Sequence, residues 1–228
     1  MIEVFRTDRP GSESTKYSTT PSRRSGQGQK GLISSLAFNP DRSGVYAAGS
    51  FTGSIGIYSE QHQRLIYQLT GSEAGVTQVK FTPDGNYLYS ASRKSSHILG
   101  WDVRQTGSIL HRLERANATN QRMTFDIDRL GHRLYGGVTL FDLQTTDEHA
   151  APASVHWPRL HHDVCCAVEF HPIHANTILA SCSGQRKYPL DLEEDEDGKA
   201  SNGAVDEEAV VDNRLALWRH ASSSATTS

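Results

Sequence analysis

The 228-residue chain has little cysteine, three residues in all, and two of them, Cys165 and Cys166, are adjacent. Three thiols build no disulfide framework, so the expected setting is a reducing compartment, cytosol or nucleus. No apolar run approaches the 18 residues of a membrane-spanning helix, and Met1 is not followed by a charged-then-apolar leader. The short catalytic motifs are missing as well: there is no G-x-S-x-G, no P-loop and no H-E-x-x-H. Serines, histidines and aspartates are plentiful but scattered, with no spacing that builds a triad. No enzyme, no cofactor and no small-molecule substrate are expected.

Metal ligation is the next class to weigh. His161, His162, Cys165, Cys166, His171 and His174 fall within fourteen residues. Zinc sites need paired spacings, and adjacent cysteines on a strand point to opposite faces. His171-Pro172 instead occupies the turn after a strand, where other parts of the chain read Asn-Pro or Thr-Pro. No metal site is expected.

What is present is an uneven charge. From Asp191 to Asp212 the chain holds ten acidic residues and one lysine, leaving 22 Lys and Arg against 16 Asp and Glu elsewhere. A mildly basic body therefore carries an acidic stretch, whose composition reads as a disordered, solvated insertion over 191–212.

A repeat is also present, and it decides the fold. Four segments end alike: "ISSLAFNPDRSG", "VTQVKFTPDGN", "RMTFDIDRLGH" and "CCAVEFHPIHA". Setting Phe38, Phe81, Ile127 and Phe170 in one column gives spacings of 43, 46 and 43. Each segment is followed by a second short strand ("VYAAGS", "YLYSAS", "HRLYGG", "TILASCS") and a third ("SIGIYS", "HILGWD", "VTLFDL", "RLALWR"). A fourth precedes the next unit, as in "RLIYQLTG" and "SILHRLE". Four short strands every 40 to 45 residues, one closing on Trp-Asp, is the WD40 blade pattern of an all-β propeller.

The expected architecture is a partial WD40 β-propeller over 1–219 with about four four-stranded blades. Its repeats run at about 13–59, 61–103, 106–143 and 150–219, followed by a disordered tail at 220–228. The chain opens on "IEVFRT", a third strand with no first or second before it, so about half a propeller is expected. The third unit is clipped by six residues at Gly136-Gly137, where a Gly-Gly type I′ hairpin could join its second and third strands.

Five residues before the column stand Ile33, Val76, Arg122 and Cys165. One arginine thus occupies a position that is apolar in the other units. It could pair with Asp126 on the same strand face, or it could serve a ligand. Loops from fourth to first strands share one propeller rim with loops from second to third strands. Arg93 and Lys94, Asn120, Gln121 and Arg122, and Gln185, Arg186, Lys187 and Tyr188 therefore fall on one rim of three consecutive blades. Cations, amides and an aromatic suit phosphate contacts and base edges of single-stranded RNA.

The segments "TNQRMTFDID", "SRKSSHILGWDVRQTG", "ASCSGQRKYP", "GLISSLAFNP" and "IEVFRTDRPG" together resemble the telomerase Cajal body WD40 protein family. The resemblance runs from about Met1 to Trp218 and covers the C-terminal part of that family's propeller. It implies a non-enzymatic nuclear scaffold whose partners are small Cajal-body RNAs, telomerase RNA and RNP proteins. The rival reading is a WD40 platform that binds proteins only. Many WD40 blades are stabilised by a His in the fourth-to-first loop bonded to an Asp in the second-to-third loop. Ser72 and Ser95 stand at those places in the second unit, while His161 fits the His position in the fourth.

Overall fold

The computed structural model describes residues 1–22, 24–72, 74–105, 108–117, 120–137, 139–144, 152–156, 161–174, 178–184 and 212–219. Among them the regular elements are β-strands in five antiparallel sheets. A ribbon pairs β1 (Ile2–Val4) with β2 (Thr15–Tyr17). The first four-stranded sheet runs β3 (Ile33–Phe38), β4 (Val45–Ser50), β5 (Ile55–Ser59) and β6 (Arg64–Leu69). The second runs β7 (Val76–Phe81), β8 (Tyr87–Ser92), β9 (His97–Asp102) and β10 (Ile109–Glu114). The third runs β11 (Phe125–Ile127), β12 (Arg133–Gly136), β13 (Thr139–Asp142) and β14 (Ser154–His156). The last holds β15 (Cys165–Phe170), β16 (Ile178–Ser183) and β17 (Leu215–Arg219), three strands among the described residues. The repeat does not mark β14, whose three residues are all exposed.

Both faces of a sheet are apolar, which is why the sheets stack. Along β8, Leu88 turns to the first four-stranded sheet, while Tyr89 and Ala91 turn to the third, as the two-residue alternation of a strand requires. Each apolar cluster therefore lies between two neighbouring sheets. Ile2 and Tyr17 meet Tyr46 and Tyr58, Leu69 meets Phe81 and Trp101, Leu113 meets Phe125 and Phe141, and Tyr135 meets Val168 and Leu179. Radial stacking of this kind is propeller packing. Phe81 and Ile127 of the repeat column are accordingly buried, but Phe38 is 59% exposed. Among the described residues, no inner strand packs on that face of β3.

Side chains join the innermost strands of neighbouring sheets. Ser35 Oγ accepts the Val79 amide at 3.0 Å. Gln78 pairs with both backbone groups of Phe125, donating to its O at 2.8 Å and accepting from its N at 2.9 Å. Asp126, 4% exposed, accepts the Phe170 amide at 2.7 Å, its neighbour's amide at Ile127, and the Lys80 ammonium.

Of the two readings of Arg122, the pairing with Asp126 is therefore not formed. Lys80 of the preceding blade takes the carboxylate, and Arg122 is exposed. The reason is local register. Strands β3, β7 and β15 each carry a register shift, between Ile33 and Ser35, Val76 and Gln78, and Cys165 and Ala167. Strand β11 starts at Phe125 with no such shift. The buried position passes to Met123, 5% exposed, and Arg122 turns outward.

The clipped blade keeps its hairpin, one residue later than expected. Gly136 pairs with Thr139 inside the ladder, so Gly137 (φ 73°) begins the two-residue connection. Positive φ at the first loop position is what a primed hairpin turn asks for. Eight residues separate the paired Ser90 and Leu99 of the second blade, against two here, so the six-residue shortening is a real step in the rim.

Candidate functional site

The loop that leads into each innermost strand is anchored differently in each blade. Four residues before Ile33, Val76 and Cys165 stand Gln29, Ser72 and His161. In the last blade, His161 Nε2 and Ser181 Oγ are 2.7 Å apart and Trp218 Nε1 donates to the same oxygen at 2.6 Å. The other ring nitrogen, Nδ1, is buried and faces Asp212 Oδ2 at 3.6 Å, beyond hydrogen-bond distance. His161 thus takes the blade-stabilising place its sequence position indicates, and Asp212, just before β17, supplies the acid. The His162 backbone N–H, donating at 2.8 Å, is the main influence holding the Asp212 carboxyl below its ordinary value, against desolvation and with Arg214 and His161 helping.

A lowered folded-state carboxyl stabilises fully above the unfolded value of 3.8 and loses that contribution as pH falls through the folded value. The unmodified chain should lose stability below about pH 4, and thermal melts of Asp212→Asn should lack part of that decline. Identical acid limbs would remove Asp212 from the pH response.

In the first blade Gln29, fully buried, substitutes for the histidine. Its Nε2 donates to Ala48 O and Ser54 O at 2.7 and 3.0 Å, and its Oε1 accepts Tyr58 OH at 2.9 Å. The second blade has neither solution. Ser72 Oγ turns to Ala74 O and Ser92 Oγ, leaving the buried Ser90 Oγ and Trp101 Nε1 without partners among the described residues.

These loops form the rim on which the candidate residues lie. Arg93 and Lys94 follow β8, and the Arg93 amide donates to Gly75 O of the loop before β7. The Arg93 guanidinium lies 4.1 Å over the Phe51 ring of the preceding blade, a stacked arrangement that orders an exposed cation while leaving its N–H edges outward. Lys94 is exposed at φ 49°. Asn117 Nδ2 donates to Ser92 O at 3.4 Å, which ties the loop carrying Asn120, Gln121 and Arg122 to the end of β8. Asn120 and Arg122 are exposed and Gln121 is half-buried. Cys166 Sγ donates to Gly184 O at 2.9 Å and lies 3.8 Å from Gln121 Oε1. The residue before Gln185 is thereby beside Gln121. Gln185, Arg186, Lys187 and Tyr188 lie outside the described residues.

Three contributors to this rim escape a sequence reading: Phe51, Cys166 and Arg115. An exposed phenylalanine and a half-buried thiol carry no pattern of their own. Arg115 follows the charged run "HRLE" and reads as one more solvated residue, yet it is 2% exposed.

Among known proteins, the WD domain, G-beta repeat family matches residues 63–102. The chain is 36% identical over 224 residues to Telomerase Cajal body protein 1 of Bos taurus, covering 96% of this chain and 39% of that one. It is 35% identical over 203 residues to the Homo sapiens protein of the same name, covering 87% and 36%. The chain belongs to the telomerase Cajal body protein 1 family. It spans about two-fifths of the length of these family members. A solved structure described as "Structure of U3-55K" superposes with a TM-score of 0.52 at 17% identity, over 70% of this chain and 48% of that one. At that identity the likeness shows the propeller fold, which the family shares with other WD-repeat proteins.

Proposed function

We propose that this chain is part of a non-enzymatic nuclear scaffold that binds small Cajal-body RNAs, telomerase RNA among them, and aids the localisation or assembly of their particles. The observation that carries the proposal is the placement of Arg93, Lys94, Asn120, Gln121 and Arg122 on loops tied together at one rim. Gly184 at the same place leads into Gln185, Arg186, Lys187 and Tyr188. The name of these relatives supports the nuclear, Cajal-body setting. Arg93, stacked on Phe51, presents an ordered cation to a phosphate, and exposed amides beside it suit base edges.

A protein-only platform is the second reading, favoured by the same Arg93–Phe51 pair, since arginine and aromatic residues also anchor protein interfaces. Binding of a small Cajal-body RNA, followed through a salt titration, separates the two. RNA held here weakens steeply with salt. Changing Arg93, Arg122 and Arg186 to alanine should cost at least about tenfold in affinity and flatten the log–log salt slope by about 2. Unchanged affinity and slope in that variant would end the RNA reading of the rim.

A further inference from the structure

A buried arginine stands beside the clipped hairpin. Strand β10 turns His111 and Leu113 inward, and Arg115 continues that alternation one step past its end. Leu113 joins the apolar cluster shared with the third blade. Arg115 caps it with a charge. Its Nη1 donates to Met123 O at 3.2 Å, while Nε and Nη2 are buried and have no hydrogen-bond partner among the described residues. Burial pushes the guanidinium down to about 10, which still leaves it charged at neutral pH. A buried cation with two unmet donors is costly, and a bound counter-anion offsets that cost.

Space for that anion adjoins it. The second-to-third connection, four residues in each of the first two blades (51–54 and 93–96), is reduced here to two. A cavity of about 440 Å³ opens between β10 and the pair β13–β14, with Arg115, Arg112, Thr139, Ser154 and His156 among its lining residues. Thr139 Oγ1 and His156 Nδ1 are 3.3 Å apart. Glu114 is the one carboxylate in the lining. It alternates with Arg115 along the strand, is exposed, and has Arg112 beside it.

We propose that this cavity is a phosphate-binding site in which Arg115 is the anchoring donor and Thr139, Ser154 and His156 complete the shell. A planar fork with two unused N–H edges fits the oxygens of a tetrahedral anion, and hydroxyls and an imidazole supply the remaining donors. The phosphate is either a free or nucleotide phosphate or one link of a single-stranded RNA. In the second case the site rests on the RNA reading above; in the first it does not.

The test uses the whole chain, its Arg115→Met variant and its His156→Ala variant. Each is melted in inorganic phosphate and in chloride of equal ionic strength. The unmodified chain should gain about 2 to 5 °C more from phosphate than Arg115→Met does, with His156→Ala between them. Comparing variants at equal phosphate removes the general stabilisation that this salt gives any protein. His156 is exposed, so its variant reports on the site even where Arg115→Met fails to fold. A single-stranded oligouridylate then identifies the source. Weaker RNA binding and a shallower salt slope in both variants assign the phosphate to RNA. Unchanged RNA affinity with a lost phosphate response assigns it to free phosphate or a nucleotide. The phosphate response should persist in a variant lacking Arg93 and Arg122, so failure of the rim leaves this site standing. Equal phosphate gains in the unmodified chain and both variants would overturn it.

Discussion

Replacing Asp126 with alanine should destabilise the chain by about 3 kcal/mol. The carboxylate is nearly buried and joins three blades: Lys80 of the second, the Ile127 amide of its own, and the Phe170 amide of the fourth. Its loss strands the Phe170 N–H, whose desolvation is then uncompensated. The ammonium matters less, because the Lys80 side chain is 42% exposed and water replaces much of what the pair supplies. Lys80→Met should therefore cost less than about 1 kcal/mol, and Asp126→Asn should fall between the two. Urea unfolding gives the ranking, and hydrogen exchange at the Phe170 amide gives the location. An Asp126→Ala chain that unfolds at the unmodified midpoint, with Phe170 still protected, would refute this role.

The second large effect is a gain. Ser90 and Trp101 of the second blade occupy the strand positions of Ser181 and Trp218 in the fourth, since Ser90 pairs with Leu99 and Ser181 with Ala216. In the fourth blade His161 meets Ser181 and turns its Nδ1 toward Asp212 at 3.6 Å; in the second, Ser72 and Ser95 stand where those two groups belong. Two buried polar atoms are left unmet there. Installing both, Ser72→His with Ser95→Asp, should stabilise the chain by about 2 kcal/mol and raise its melting temperature by about 4 to 8 °C. Each single change should give less than half of that, because the histidine needs the acid to orient it and the acid needs the histidine to justify its burial. A double variant no more stable than the unmodified chain, or no more stable than the summed single effects, would mean that the second blade cannot accept the fourth blade's network.

The sequence was most legible where chemistry recurs at a fixed period. Phe38, Phe81, Ile127 and Phe170 mark four innermost strands, and each falls at or within the end of β3, β7, β11 or β15. The His161 position was legible for the same reason, whereas Gln29 was not: an amide does the same work with different atoms, and no repeat announces it. Counting back from the column failed at Arg122 because the count assumes a bulge that three strands have and β11 lacks. One residue of bulge exchanges the two faces of a strand, so Met123 went inside and Arg122 out. The Gly-Gly turn slipped by one residue because both glycines permit it and only the pairing of Gly136 with Thr139 chooses between them. Arg115 was illegible because strand alternation continues past the last strand residue into a segment whose composition reads as loop.

The shortened hairpin of the third blade breaks a symmetry. Strand β8 runs two residues beyond the position that matches the end of β12, a difference in height of about 6 to 7 Å. A propeller of equal blades offers a guest the same footing again and again, one blade apart, and such a guest can shift by a repeat at little cost. A step in the rim abolishes that equivalence. Among the described residues, whatever lies across these loops meets a notch between the taller ends of β8 and β16, and so has a place to start counting from.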